Sequence, residues 1–270
     1  MEIVDRFGSA RPFSRELAGM CAHEGRLCRA EAAEVPVEHA IEVYVDGVVS
    51  MRAVCTPDSI VDLVVGRLFT EGAIEGVDDI ARIEVDACGA CVTVATSRAI
   101  ALPEGIDVVG TCFAGRLHGR ASQETLGAVK PIPWSQDDIF ALARRFAQDS
   151  PGHKRTFGLH SCYLACGADV LFSCEDLGRH NAFDKTVGRA LREGVDLAET
   201  TVFTSGRVPV DMLSKAVRAR IPIMVSKAVP TDAALALARS CDLTLICSAH
   251  PDAMKVFCDP TRSEHIRVAV

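Results

Sequence analysis

The chain has 270 residues, of which 49% are hydrophobic and 24% are charged. These fractions are typical of globular proteins and exclude a disordered, collagen-like or coiled-coil chain. A chain of this length buries a sizeable core, so it needs no disulfide or metal in order to fold. The 29 Lys and Arg residues against 36 Asp and Glu residues give a net charge of −7, which disfavours general binding to nucleic acid or anionic membranes.

The N-terminus and the cysteines indicate the cellular compartment. The first residues, Met1 to Arg6, contain no apolar stretch of the kind found in secretory signals. No apolar run approaches the roughly 20 residues that a membrane-spanning helix needs. The 12 cysteines show no spacing typical of a small secreted disulfide framework. We therefore expect a cytoplasmic protein with reduced thiols and with neither a membrane nor a nucleic-acid partner.

The first half of the chain predicts an arm followed by a β-rich part. Residues 1–34 are weakly patterned and are interpreted as a loosely attached arm. From residue 38 the hydrophobic residues alternate with polar ones, and Asp46-Gly47 between two such runs is typical of a hairpin turn. The elements predicted after the arm are a hairpin over 38–54, a helix that opens at Thr56-Pro57 and ends at Gly72, and strands near 80–85 and 91–96.

The second half predicts strands and helices in alternation. Residues 97–133 are rich in Gly and Pro and are interpreted as a long loop, which at this length tends to be functional or disordered. Ser135 has the position of a helix N-cap. The elements predicted from there are a helix through about residue 148, strands near 159–165 and 169–174, a helix near 180–192, a strand over 202–204, a helix over 209–219, a strand over 221–226, a helix over 231–240 and a strand over 243–247. This alternation indicates an α/β fold with a parallel or mixed sheet, in which ligands bind beyond the carboxyl ends of the strands.

Polar side chains concentrate where predicted strands give way to helices. The densest cluster covers residues 175–185 and follows the strand that ends at Cys174. Ser205-Gly206-Arg207 is a second such junction, where backbone N–H groups and a guanidinium can form an anion site. A third junction, residues 226–231, has the pattern of a plain N-cap. Solvated helix starts and ordinary capped turns are the alternative interpretations of these junctions.

The cysteines give further candidate sites. Cys88 and Cys91 form a CxxC motif, which is typical of a redox pair or of half a zinc site. A four-cysteine zinc site needs a second pair with similar spacing, and the chain has none, so we expect no metal and no zinc. Cys162 and Cys166 fall on one face of a predicted strand, and that face is interpreted as core.

Cys112 has a different setting. It lies in the Gly-rich segment 109–116, where glycines free the backbone to present a side chain. Arg116 is close in sequence and can stabilise a thiolate. A reactive thiol is one interpretation of Cys112, and a small buried residue is the other.

The segment 175–185 resembles the signature of a known family. Its sequence, EDLGRHNAFDK, is similar to the E-D-x-G-R-H-N-A-x-D-K signature of the FdhD family of formate dehydrogenase accessory sulfurtransferases. This signature is highly specific, and other stretches between residues 38 and 258 support it in the family's order. They are Thr56-Pro57 through Gly72, Gly158-Leu159-His160, Ser205-Gly206-Arg207 with Lys215, and Ala228-Val229-Pro230-Thr231.

The resemblance implies a fold and an activity. It implies an α/β (α+β) protein with a cytidine-deaminase-like C-terminal domain, of mixed sheet and flanking helices, over 134–270, and a smaller β-containing N-terminal part over 35–133. Members of the family work as homodimers and accept persulfide sulfur from a cysteine desulfurase. They pass it to the bis(molybdopterin guanine dinucleotide) molybdenum cofactor before that cofactor is inserted into apo-formate dehydrogenase.

The resemblance also implies site residues. Cys112 takes the place of the persulfide carrier, and GDP is expected to bind as a mimic of the cofactor, with its phosphates near Arg207 or a helix N-terminus. The cofactor-binding residues implied in this way are Arg179, His180, Asn181, Asp184, Lys185, Ser205, Gly206, Arg207, Lys215, Cys247, Ser248, Ala249, His250, Pro251 and Asp252. The last six follow the final predicted strand, where the match to the family is poor.

One departure from the family's pattern bears on mechanism. The family's mobile loop carries C-G-x-C-G, whereas Gly115 stands here where the second cysteine is usual. A lone cysteine can hold a persulfide but lacks a resolving partner. Three classes of function therefore stay open: sulfur transfer, cofactor binding without sulfur transfer, and zinc hydrolysis of the cytidine deaminase type. The third needs H-x-E and P-C-x-x-C motifs to bind zinc and move protons, and the chain has neither.

Overall fold

The structure, a computed structural model, describes residues 1–8, 11–100, 126–148 and 150–262. It shows a mixed α/β fold, which confirms the predicted class. The strands are β1 (Glu2–Asp5), β2 (Ser14–His23), β3 (Arg26–Pro36), β4 (His39–Val45), β5 (Val48–Cys55), β6 (Ile80–Val85), β7 (Cys91–Thr96), β8 (His160–Cys166), β9 (Asp169–Asp176), β10 (Thr201–Thr204), β11 (Ile223–Ser226), β12 (Thr244–Cys247) and β13 (Lys255–Cys258). The helices are α1 (Ile60–Thr70), α2 (Gln136–Gln148), α3 (Pro151–Thr156), α4 (Arg179–Arg192), α5 (Val210–Arg218) and α6 (Asp232–Ser240).

The N-terminal part is built on a sheet with the strand order β1-β6-β7-β4-β5. The predicted hairpin is confirmed as the antiparallel pair β4 and β5. Asp46 and Gly47 at its tip both have positive φ, 49° and 82°, as tight hairpin turns require. Strands β6 and β7 lie where they were predicted. Alternate residues of β4 and β6 are buried with α1, because successive side chains of a strand point to opposite faces of the sheet.

The first 34 residues contain strands where the sequence predicted a loose arm, and that interpretation is corrected. Strand β1 pairs parallel to β6, so the start of the chain belongs to the N-terminal sheet. Strands β2 and β3 form a separate antiparallel hairpin. An ion pair of 2.7 Å between Glu34 and Arg155 joins β3 to α3. The alternation of hydrophobic and polar residues that marks a half-buried strand is weak in both β2 and β3, so periodicity offers no clear signal there.

The C-terminal sheet has the order β13-β12-β11-β10-β8-β9. Strands β10, β11 and β12 are parallel, while β8, β9 and β13 run antiparallel to their neighbours. Helix α2 packs on one face, and α4, α5 and α6 pack on the other. The central strands are buried throughout because both faces are covered. The predicted elements of this part are confirmed, including the Ser135 cap, whose Oγ accepts from the N–H of Asp138 at 3.1 Å; α3 and β13 were not predicted.

Helices α1 and α4 join the two parts through a close backbone contact. A Cβ atom added to Gly66 on α1 would lie 1.8 Å from the backbone oxygen of Asp184. One added to Gly188 on α4 would lie 1.9 Å from the backbone oxygen of Asp62. The boundary at residues 133 and 134 and the likeness of the C-terminal part to cytidine deaminase stay predictions. Within the described ranges, no helix has both the length and the apolar character needed to cross a membrane.

Candidate functional site

A cavity opens at the edge of the C-terminal sheet where β10, β11 and β12 end. Ligands bind at this edge in α/β sheets, because the strand ends leave a crevice beside the following helices. The cavity has a volume of about 430 Å³. Its polar lining includes one ammonium group and three imidazoles. The lining residues are His153, Phe157, Gly158, Leu159, His160, Ser205, Lys227, Ala228 and His250.

His160 and Ser205 form the polar centre of this cavity. The Nδ1 atom of His160 lies 3.0 Å from Oγ of Ser205, and the same oxygen accepts a hydrogen bond of 3.1 Å from the N–H of Ser161. Burial lowers the pKa of His160, and the guanidinium of Arg179 lowers it further. The imidazole is therefore uncharged at neutral pH and can exchange hydrogen bonds with a polar ligand.

Glu175 fixes the opposite wall of the cavity. Its carboxylate accepts hydrogen bonds from the N–H groups of Gly152 and His153, at 2.7 Å and 3.0 Å, in the first turn of α3. It also accepts one from the hydroxyl of Ser161 at 2.9 Å. A carboxylate at a helix N-terminus satisfies N–H groups that have no partner within the helix. The first residue of the 175–185 segment thus positions His153 at the cavity.

Hydrogen bonds hold the three strand ends at the cavity side by side. The hydroxyl of Ser226 donates to the carbonyl of Gly206 at 2.6 Å, and the N–H of Ala249 donates to the carbonyl of Ser226 at 3.0 Å. Lys227 and His250, which follow β11 and β12, are both exposed. Residues that follow each of the three strands therefore reach one cavity, and Lys227 offers it positive charge.

Asp176 and Lys185 form a buried ion pair beneath the start of α4. Both side chains are fully buried, and Nζ of Lys185 lies 2.7 Å from the carboxylate of Asp176. Lys185 also donates to Oγ1 of Thr56 at 2.6 Å, and Asp176 accepts from the backbone N–H of Thr56 at 3.0 Å. Burial alone would lower the pKa of Lys185, but the carboxylates of Asp176 and Asp58 raise it above its usual value. The pair ties α4 to the residues that precede α1.

Asp184 is the centre of a second buried network. Its carboxylate accepts hydrogen bonds from Nε of Arg67, from Oγ1 of Thr70 at 2.7 Å and from Nζ of Lys215 at 2.7 Å. Arg67 also donates to the side-chain oxygen of Asn181 at 3.1 Å. Burial alone would raise the pKa of Asp184, but Arg67 and Lys215 hold it below its usual value. Asn181, Asp184 and Lys215 are thus engaged inside the protein, and their role in cofactor binding stays a prediction.

Arg179 and His180 begin helix α4. Arg179 is half-buried beside Gly206, where an added Cβ would lie 2.7 Å from its Cδ, and its Nε has no hydrogen-bond partner among the described residues. His180 is buried, with Nε2 lying 3.4 Å from the carboxylate of Asp211. Burial first, and then the charge of Lys215, lowers the pKa of His180 to about 4. Within the 175–185 segment, the Nε–H of Arg179 is therefore a buried donor without a hydrogen-bond partner among the described residues.

The other predicted cofactor-binding residues differ in exposure. Gly206, Cys247 and Ala249 are buried, Ser205 and Ser248 are half-buried, and Arg207, His250, Pro251 and Asp252 are exposed. The structure brings two of these residues, Ser205 and His250, into the lining of the cavity. Placement of phosphates near Arg207 stays a prediction.

The predicted sulfur carrier, Cys112, lies outside the described residues, and its role stays a prediction. Burial silences several of the described cysteines, because it raises the thiol pKa of Cys174 to about 11 and that of Cys247 to about 12. Cys88 is exposed. Cys166 is exposed as well, which corrects its assignment to the core: the register of β8 on β9 shifts just before it.

Sequence reasoning missed part of the cavity lining. His153 and Phe157 belong to α3 and its C-terminal cap, a short helix that was not predicted. The available signal was Pro151, a residue type favoured in the first turn of a helix. Lys227 was interpreted as part of a plain capped turn. Thr231 does cap α6, because its side chain accepts from the N–H of Ala234, but the same turn also brings Lys227 to the cavity.

Comparisons with known proteins give one consistent result. The model of a family described as the FdhD/NarQ family matches residues 36–264. The sulfur carrier protein FdhD of Listeria innocua is 30% identical in an alignment of 238 positions that covers 83% of this chain and 88% of that protein. The sulfur carrier protein FdhD of Anaeromyxobacter dehalogenans is 31% identical in an alignment of 253 positions that covers 84% of this chain and 88% of that protein.

A solved structure shows the same fold. It is the crystal structure of a protein assigned as a formate dehydrogenase accessory protein from Desulfotalea psychrophila. The TM-score is 0.77, and the match covers 93% of this chain and 99% of that one. At 24% sequence identity, this likeness bears on the fold alone.

Proposed function

Because this chain belongs to the FdhD/NarQ family, we propose that it is a sulfur carrier that serves formate dehydrogenase. The observation that carries the proposal is the family match over residues 36–264, which includes the 175–185 segment. Relatives that match most of the chain bear the name sulfur carrier protein FdhD. In this proposal the protein acts in the cytoplasm as a homodimer, receives sulfur from a cysteine desulfurase and delivers it for apo-formate dehydrogenase.

Cys112 holds the sulfur as a persulfide in this proposal. Its thiolate attacks the terminal sulfur of the donor's persulfide, a new S–S bond forms at Cys112, and the donor cysteine leaves as a thiolate. The step needs no oxidant, because the terminal sulfur moves between two thiolates without a change in oxidation state. Arg116 and His118 are close in sequence, and their positive charge favours the thiolate form of Cys112.

The proposed site for the cargo is the cavity at the ends of β10, β11 and β12. Its volume of about 430 Å³ is within the range of small-molecule sites. The ammonium group of Lys227 in its lining suits the phosphates of the guanine dinucleotide part of the bis(molybdopterin guanine dinucleotide) molybdenum cofactor. The buried networks around Asp176 and Asp184 support the site indirectly, because they fix α4 and keep Arg179 beside His160.

A persulfide on Cys112 gives a direct test by mass. Incubation of the full chain with a cysteine desulfurase and cysteine is expected to add one sulfur atom to the wild-type protein and none to Cys112→Ala. The control is Cys88→Ala, which removes an exposed thiol and should gain sulfur as the wild type does. Intact-mass spectrometry before and after reduction reads the result.

The same experiment separates the two functions that stay open. If the wild type gains no sulfur while the protein still binds the cofactor, the chain acts as a binding-only chaperone for apo-formate dehydrogenase. The substitution of Gly115 for the second loop cysteine favours that alternative. Gain of sulfur on Cys112→Ala would place the persulfide on another thiol, with Cys88 and Cys91 as the next candidates.

Nucleotide binding in the cavity is tested with GDP. Lys227→Ala removes an exposed ammonium from the lining and should weaken GDP binding about tenfold or more, since a charge-assisted hydrogen bond contributes roughly 1.5–3 kcal/mol. The matched control is Lys130→Ala, an exposed lysine beside Val129, which bonds to Cys241 at the opposite edge of the sheet. If calorimetry shows equal GDP affinity for both variants, the phosphates do not bind in this cavity.

A further inference from the structure

Phe157 lines the cavity, but neither burial nor backbone conformation accounts for a phenylalanine at this position. It is 81% exposed, more than any other large hydrophobic residue among those described. It stands at the C-terminal cap of α3 with φ 53° and ψ 10°, and its N–H donates to the carbonyl of His153. Glycine adopts the left-handed conformation at such a cap without steric strain, whereas a bulky residue rarely adopts it. Backbone conformation and burial both therefore favour a glycine at this position.

The surroundings of Phe157 fix where its ring lies. The next residue, Gly158, is packed so closely against Pro36 of β3 that an added Cβ would lie 2.7 Å from the proline ring. The imidazole of His153 meets the Phe157 ring edge-on, with centroids 6.0 Å apart and planes at 69°. The ring is thus exposed at the cavity, but the segment that carries it is held by contacts on both sides.

The cavity has two chemical ends, and a nucleotide matches both. Lys227 and His250 supply cationic and hydrogen-bonding groups at the strand ends, which suit phosphate oxygens. Phe157 supplies a flat apolar face at the α3 side, which suits a planar base, because aromatic rings stack on nucleobases. Simple anions such as phosphate or sulfate would leave the apolar face unused.

We propose that Phe157 is a specificity-determining residue that stacks on the purine base of the nucleotide bound in this cavity. The proposal rests on the proposed function, which places the guanine nucleotide end of the cargo there. It explains why an aromatic residue occupies a position where glycine would have less backbone strain. It also orients the cargo, with the base at α3 and the phosphates at the ends of β11 and β12.

The test measures GDP affinity and thermal stability of the full chain for three variants. Phe157→Gly should weaken GDP binding by about 5- to 150-fold, the range expected for loss of one base–aromatic stack. It should leave the unfolding temperature unchanged or raise it, because glycine relieves the left-handed strain. Phe157→Leu should lose a similar factor because leucine has no flat π face, and Phe157→Tyr should bind within about twofold of the wild type.

Inorganic pyrophosphate provides the control, because it carries phosphates without a base. Its affinity, measured by competition with GDP, should be equal for the wild type and Phe157→Gly. An equal loss for GDP and pyrophosphate would overturn the stacking role, since the ring would then act through the shape of the loop. GDP binding by Phe157→Gly or Phe157→Leu at wild-type affinity would overturn it as well.

Two further outcomes separate the alternatives. If Phe157→Gly dissociates an oligomer in sizing measurements and keeps its GDP affinity, the ring covers a second copy of the chain and the stacking role is wrong. If the wild type itself shows no GDP affinity, both the stacking role and the proposed cargo site fail. The proposal is supported if Phe157→Gly loses affinity for GDP and keeps its affinity for pyrophosphate.

Discussion

Lys185→Met is expected to lower the free energy of unfolding by about 3–5 kcal/mol, because it leaves the carboxylate of Asp176 buried without its cation. Both side chains are fully buried and lie 2.7 Å apart. A methionine side chain fills a similar volume, so the loss reports the charge and not a cavity. Urea denaturation measures the effect: the midpoint of the transition should fall, while the slope of unfolding free energy against urea concentration should stay the same.

Two variants control this experiment. Lys130→Met makes the same change at an exposed lysine and should shift the unfolding free energy by less than about 0.5 kcal/mol. The double variant Asp176→Asn, Lys185→Met removes both charges. Its loss of unfolding free energy should be smaller than the sum of the losses of the two single variants, because the partners are in direct contact. A loss below about 1 kcal/mol for Lys185→Met would mean that the pair is not desolvated as the structure shows.

Gly188→Ala is the second substitution with a large expected effect. The added methyl group would lie 1.9 Å from the backbone oxygen of Asp62, so α4 and α1 must separate. Alanine improves helix propensity by about 1 kcal/mol, but overpacking costs about 1–3 kcal/mol or more, and here the methyl group meets rigid backbone. Because the methyl group meets rigid backbone, we expect the overpacking cost to lie at the top of this range, about 3 kcal/mol, and the net loss in unfolding free energy to be about 2 kcal/mol.

The same contact seen from α1 gives a companion variant. Gly66→Ala should be as harmful, because its Cβ would lie 1.8 Å from the backbone oxygen of Asp184. Gly76→Ala is the control: its backbone is extended and no atom lies within 4 Å of an added Cβ. Thermal unfolding of the three variants measures the difference. Wild-type stability for Gly188→Ala would show that the helices can move apart at little cost.

Local patterns predicted the elements whose signals depend on neighbouring residues alone. Asp46-Gly47 marked the β4–β5 turn because few residue pairs adopt positive φ at both positions, and the structure confirms that conformation. Ser135 marked the start of α2 because its hydroxyl accepts from an N–H three residues later. The hairpin of β2 and β3 escaped prediction because its pairing, and not burial of one face, specifies it.

The polar segment 175–185 shows where a sequence pattern stops being informative. Residues that bind a ligand and residues that form a buried ion network have the same composition, so the pattern could not separate them. Asp184 and Lys185 find their partners in Arg67 and Thr56, which are 117 and 129 residues away in the chain. Only the tertiary structure shows that the hydrogen-bonding groups of these side chains have partners within the protein.

The sequence by itself determined the α/β class, most of the strands and helices, and the resemblance to the FdhD family. These depend on periodicity, caps and a contiguous motif, all of which are local. The tertiary structure decided which polar residues face the cavity, because the lining comes from separate strand ends and from α3. His153, Phe157 and Lys227 share no motif and meet through the topology of the sheet. Contacts between residues distant in the chain arise from packing, and a single sequence carries no direct signal for them.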